Sequence, residues 1–124
     1  MVTRICSVVV RIGGSLALLL GILRYYGIGP DLVQLHMTLG ILVVLALWTL
    51  ATIYARTPNA NLGMSIGASV IGLLLLIVGV TQQGLLVNDF HWVIQLIHVL
   101  LGLTVIAMGE MLSGAIRRAP LAAA

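Results

Sequence analysis

Four apolar stretches, divided by short turns, organise this chain. They run roughly Arg4–Tyr26, Asp31–Ala55, Asn61–Gln83 and Asp89–Ile116, each near or above the ~20 residues that a helix needs to cross a bilayer. The segments between them are Gly27-Ile28-Gly29-Pro30, Arg56-Thr57-Pro58-Asn59 and Gly84 to Asn88. Glycine and proline end helices, and connections this short make neighbouring helices antiparallel. The pattern predicts an all-α integral membrane protein. It is a single domain, residues 1–124, folded as a four-helix bundle that runs up-down-up-down, with the second and fourth helices parallel.

Composition sharpens this picture. Of 124 residues, 61% are hydrophobic and 7% charged, against about 25% charged in an ordinary soluble domain. The mean hydropathy is +1.23. A net charge of +3 arises from six arginines and no lysine against Asp31, Asp89 and Glu110. The arginines are dispersed near helix ends, so no nucleic-acid surface is expected and lipid is the surrounding partner. One cysteine, Cys6, excludes both an intramolecular disulfide and c-type haem attachment through Cys-x-x-Cys-His.

Arginine bias sets the expected orientation. With both termini cytoplasmic in a cell inner (plasma) membrane, Arg4, Arg11, Arg56, Arg117 and Arg118 lie on or toward the cytoplasmic side. Arg24 lies toward the other side with Asp31 and Asp89. Arg4 and Arg11 before an apolar run also fit a secretory signal. No small-residue cleavage site follows, and Arg24-Tyr25-Tyr26 reads as an interfacial anchor, so the first stretch is expected to remain as a span.

The chemistry-bearing residues are two histidines inside apolar stretches. Gln34-Leu35-His36-Met37-Thr38-Leu39-Gly40 and Gln95-Leu96-Ile97-His98-Val99-Leu100-Leu101-Gly102 each place a glycine four residues after a histidine. Ionisable residues in lipid-spanning helices are costly and mark functional sites by default. His36 lies five residues past Asp31 and His98 nine past Asp89, depths of ~8 and ~14 Å on parallel helices. They can therefore approach a planar ligand from opposite faces. Haem b suits neutral imidazoles as axial ligands. Zinc suits the set less well, because it takes at least three protein ligands. Gly40 and Gly102, one turn beyond each histidine, leave room for a macrocycle or a close helix. The competing reading is a pair of histidines that hydrogen-bond across helices, with glycines that serve packing alone.

Other polar residues are assigned around this pair. Arg24 is expected at the outer end of the first helix, where it would pair with a haem propionate or snorkel to headgroups. His91 lies seven residues before His98 on the same face, which makes it an interfacial or quinone-proximal residue and a competitor for the ligand role. Gln34 and Gln95 are accessory candidates for the haem edge or a quinol pocket. Arg11 and Glu110 are each ~10 Å from the same end of their helices and are expected to form a structural ion pair.

Two duplicated helical hairpins would explain why both histidines fall on second-helix positions. Ile12-Gly13-Gly14-Ser15 and Ile66-Gly67-Ala68-Ser69 are the other matching strings, but their offset is 54 residues against 62 for the histidines.

Four short-looped helices with histidines on the second and fourth, near the outer face, resemble one half of haem A synthase, and more generally a small b-type membrane cytochrome. The resemblance implies a histidine pair across a haem, here His36 and His98. Haem A synthase carries Glu-x-x-His-Arg on its second helix, whereas Val33 and Met37 occupy those positions here. The outer-loop cysteine pair of many members is also missing. The resemblance therefore implies a haem-binding, electron-transferring relative rather than oxidation of haem O to haem A.

The expected function is thus haem b binding, one per chain, with redox activity and quinol as a candidate electron source. If the chain is an enzyme, it is a haem-dependent membrane oxidoreductase. Three histidines limit a monomer to one bis-histidine haem; a second fully ligated haem would require a methionine ligand or a homodimer, and a larger membrane complex is a further candidate partner. The alternatives are a haem-free accessory or anchor subunit and a small four-helix transporter. The transporter reading is disfavoured because such exporters rely on an acid in the first helix, whereas this first helix has Arg11 and no acid.

Overall fold

The computed structural model describes residues 1–119, so residues 120–124 of the expected domain lie outside the described residues. Four helices are long and apolar enough to cross a membrane: α1 Val2–Tyr25, α2 Val33–Ala55, α3 Leu62–Gly84 and α4 His91–Arg118. No strand occurs among the described residues. Each helix begins and ends within two residues of the limits expected from sequence.

The turns form where the residue types dictate. Gly27 and Gly29 take φ of +74° and +64°, a region that costs glycine no Cβ clash. Pro30–Leu32 then makes one 3-10 turn, closed by Leu32 N–H donating to Gly29 O at 2.9 Å. Asp31 therefore sits in a turn before α2 rather than in the helix. Asn59 supplies the left-handed residue (φ +59°) between α2 and α3, a conformation asparagine tolerates. Asn61 N–H donates to the Tyr54 hydroxyl at 3.1 Å and ties the start of α3 to the end of α2.

α2 and α4 each pack against all three other helices and meet across the centre, while α1 and α3 flank them on opposite sides. The side chains that make this possible are small. A Cβ on Gly109 of α4 would lie 2.5 Å from Val10 Cγ1, and one on Gly14 of α1 would lie 2.7 Å from Ile106 Cγ1. Close backbone approach of this kind is how helices associate where lipid removes the hydrophobic drive. On the other side, Trp48 of α2 lies over Gly72 of α3 and donates from Nε1 to Ser69 O at 3.1 Å. Ser65 Oγ donates to Ala51 O at 3.1 Å across the same interface.

α1 contains a feature the periodicity did not signal, a wide π turn over Val9–Gly13 with Arg11 at its centre. Such turns shift the side-chain register of everything beyond them.

Burial is unequal along the bundle. The core consists of Val10, Val43, Val44, Leu47, Leu50, Ala51, Tyr54, Ala68, Leu75, Val105 and Leu112 with a few smaller neighbours. All of these lie toward the end that holds Met1, Arg56 and Arg118, here termed the closed end. Among the described residues, none from 18 to 42 and none from 76 to 104 is buried. The opposite end of the bundle, where both histidines lie, has no tightly packed interior.

Candidate functional site

The open end brings His36 and His98 together. Their ring centroids are 6.0 Å apart and their planes are inclined by 55°. Both are half-buried, and they belong to the two helices that meet at the bundle centre.

Each ring is seated on a glycine of the preceding helix. A Cβ at Gly21 of α1 would lie 3.3 Å from His36 Cε1, and one at Gly79 of α3 would lie 3.2 Å from His98 Cε1. A Cβ at either position would make the ring give by a few tenths of an ångström. The two hairpins thus share one local design: a glycine on the first helix admits the histidine of the second.

The polar partners of the two rings differ. His36 Nδ1 donates to Ala17 O at 2.8 Å. A carbonyl only accepts, so Nδ1 is the protonated nitrogen and Nε2 carries the lone pair. His98 Nδ1 is sealed from solvent and has no hydrogen-bond partner among the described residues.

Gly40 and Gly102 lie one turn further along their helices. A Cβ built at either meets nothing within 4 Å, in contrast to the tight seats of Gly21 and Gly79. The sequence expectation of room at these two positions thus corresponds to open space beside each helix.

The residues present fit a haem clamp. Two nitrogen–iron bonds of roughly 2 Å each, plus the half-widths of two imidazole rings, sum to about 6 Å between ring centres. That matches the 6.0 Å separation. Among the described residues no three His, Cys, Asp or Glu side chains converge, so the three or more protein ligands of a zinc site are not assembled. A planar macrocycle that supplies four nitrogens of its own needs only the two imidazoles.

The remaining sequence candidates are placed unequally. His91 opens α4, and its Nδ1 is within 3.0 Å of Leu85 O. That contact holds it to the loop, where Leu86 takes a φ of +47°. His91 therefore braces the loop, and the ring that meets His36 is that of His98. Arg24 is exposed at the open end of α1 and has no ion-pair partner among the described residues. Beside it Tyr25 and Tyr26 stack edge-to-face at 5.4 Å. Gln34 is exposed and Gln95 half-buried, and neither side chain is hydrogen-bonded among the described residues.

Arg11 and Glu110 meet far from the histidines. Arg11 Nε donates to Glu110 Oε1 at 2.9 Å and Nη2 to Oε2 at 2.6 Å, the paired-contact geometry that favours arginine over lysine. The pair lies on the perimeter, with side-chain exposures of 60% and 35%, and joins α1 to α4 beside the Val10–Gly109 contact.

Sequence reasoning missed the seats of both rings. Ala17 and Gly21 read as ordinary small residues four apart, a spacing that serves plain helix packing. Gly79 carried no distinguishing neighbour. The available signal was depth, since both glycines fall near the open ends of α1 and α3 and face second-helix histidines at similar depth.

The chain matches no family model, no curated protein and no solved structure.

Proposed function

We propose that this chain is a haem b-binding membrane protein in which His36 and His98 clamp one haem between α2 and α4. The observation that carries the proposal is the facing imidazole pair at 6.0 Å, set in the one end of the bundle that lacks a packed core. Support also comes from the Nδ1 bond of His36, which fixes the tautomer a metal-ligating histidine requires. When bound, the haem would supply one-electron redox chemistry. This chain's residues would orient the two imidazoles, leave space beside Gly40 and Gly102, and offer Arg24 at the wet end to a propionate.

The reading rests in part on the resemblance to one half of haem A synthase, and Val33 and Met37 in place of that family's glutamate and arginine favour electron transfer over haem oxidation. By the arginine bias, the closed end faces the cytoplasm of an inner membrane and the histidine end faces outward. Quinol arriving near Gln95 and His91 is the electron source this orientation suggests.

The test is a reduced-minus-oxidised visible spectrum of the protein purified in mild detergent. Sharp low-spin haem bands are expected, and both His36→Ala and His98→Ala should lose them. An unchanged low-spin spectrum in both variants refutes the ligand assignment. A featureless spectrum that persists after haem supplementation would make the histidines packing residues of a haem-free subunit.

A further inference from the structure

We infer that the two imidazoles are unequal ligands: His36 is the anchored one, His98 the exchangeable one, and the haem face on the His98 side is a binding site for a small diatomic gas. The inference rests on the haem reading above and on the contrast between the two Nδ1 atoms.

A neutral imidazole carries its proton on one nitrogen and a lone pair on the other. Ligation through Nε2 therefore places the proton on Nδ1. For His36 this is the state already present, because Nδ1–H points to Ala17 O at 2.8 Å. That hydrogen bond also raises the basicity of the ring as a ligand. For His98 the same ligation puts an N–H where no acceptor lies, since Nδ1 is sealed from solvent and unpartnered among the described residues. Ligation by His98 through Nε2 thus lacks the acceptor that supports His36. The lack of such an outer partner weakens the bond to a metal by a factor of roughly 10–100.

The surroundings allow the exchange. Gly102, one turn from His98 on the same face of α4, has nothing within 4 Å of its Cβ position, so no side chain fills the space next to it. The exchange is a ligand substitution: the iron–nitrogen bond to His98 breaks, a bond to the incoming ligand forms, and no electrons are transferred. The Ala17 carbonyl meanwhile keeps His36 in place, a restraint that His98, seated on Gly79 in the same way, lacks.

The experiment uses the haem-loaded full chain in detergent, reduced with dithionite and exposed to carbon monoxide. Most of the haem is expected to shift to a carbon monoxide spectrum. His98→Ala should keep near-stoichiometric haem in a high-spin, five-coordinate form that also takes the gas, while His36→Ala should lose most of its haem. A pair of variants at the His98 seat tests the cause. Gly79→Ser offers a hydroxyl acceptor beside Nδ1, whereas Gly79→Ala adds the same Cβ without one. The serine variant is expected to bind carbon monoxide about tenfold more weakly than the alanine variant. Haem that stays inert to carbon monoxide overturns the inference while leaving the bis-histidine reading intact. So does greater haem retention in His36→Ala than in His98→Ala, or equal gas affinity in the two Gly79 variants. Absence of haem from the unmodified protein would instead overturn the reading on which the inference rests.

Discussion

Gly109 and Gly102 lie two turns apart on one face of α4, yet alanine at the two positions should act in opposite directions. In a helix interior, glycine to alanine is worth about 0.5–1 kcal/mol of stabilisation through lost backbone freedom in the unfolded chain. At Gly102 nothing lies within 4 Å of the new Cβ, so that gain should appear nearly whole. At Gly109 the Cβ would meet Val10 Cγ1 at 2.5 Å, Cβ at 3.2 Å and Cγ2 at 3.4 Å. Val10 is 0% exposed and β-branched, so it has no second rotamer to retreat into. Overpacking of this sort costs about 1–3 kcal/mol, which exceeds the gain. The two variants should therefore differ in unfolding free energy by about 1–3 kcal/mol, with Gly109→Ala the weaker. SDS titration from mixed micelles, followed by circular dichroism, measures the difference. Adding Val10→Ala to Gly109→Ala should recover part of the loss, because it removes the two methyl contacts and leaves only the one to Cβ. Equal stability of the two alanine variants, or no recovery in the double variant, would show that α1 and α4 do not pack through this contact.

The other predictions concern separate contacts. Arg11→Leu and Glu110→Leu should each destabilise the bundle, because each leaves an unpaired charge in an apolar setting; the double change should cost less than the two losses combined, and strict additivity in the same SDS titration would refute the pairing. Gly21→Val should drive His36 off the Ala17 carbonyl, lowering haem occupancy in the pyridine haemochrome assay while leaving helicity unchanged; full occupancy would remove Gly21 from the site. Trp48→Phe deletes the indole bond to Ser69 O and should cost about 0.5–1.5 kcal/mol, a loss absent from Trp92→Phe on the exposed end of α4. With haem bound as proposed, its removal should leave far-UV dichroism nearly unchanged, since the core lies at the other end of the bundle; a large loss of helix would place the main stabilising contacts around the cofactor.

Much of the fold was legible because a bilayer imposes its length on every helix and glycine and proline mark the turns. The Arg11–Glu110 contact was legible for a related reason: on helices of fixed rise, equal distance from one end means equal depth. The histidine pair followed from the same depth argument. The π turn over Val9–Gly13 was not legible, because an extra residue in one turn leaves hydropathy unchanged and alters only the angular register. The uneven core was also hidden. Leu and Val occur at both ends of every helix, so composition gives no hint that residues near Leu47 and Leu112 are sealed while those near Leu35 and Leu96 are exposed. Distinguishing the glycines required coordinates. Gly21 and Gly79 are seats, Gly40 and Gly102 face open space, and Gly109 is a helix contact, although sequence set apart only Gly40 and Gly102, by their place after the histidines.

On the proposed haem reading, the division into a closed and an open end would give the bundle a way to be stable without the ligand and still receive it. Packing at Val10–Gly109, Gly14–Ile106 and Trp48–Gly72 joins α1 and α3 to the central α2–α4 pair, and all of it lies below the histidines. Helices held at one end can part slightly at the other without breaking these contacts, so entry of a wide planar group between α2 and α4 need not disrupt the core. The two histidines are then poised by different means. Ala17 O fixes His36 whether or not a ligand is present, whereas His98 has only the shape of Gly79 behind it. A clamp with one fixed and one free jaw follows directly from that difference. It also explains why similar motifs in the two hairpins need not carry the same role: each hairpin sets a histidine over a glycine, and the single carbonyl within reach of His36 separates their chemistry.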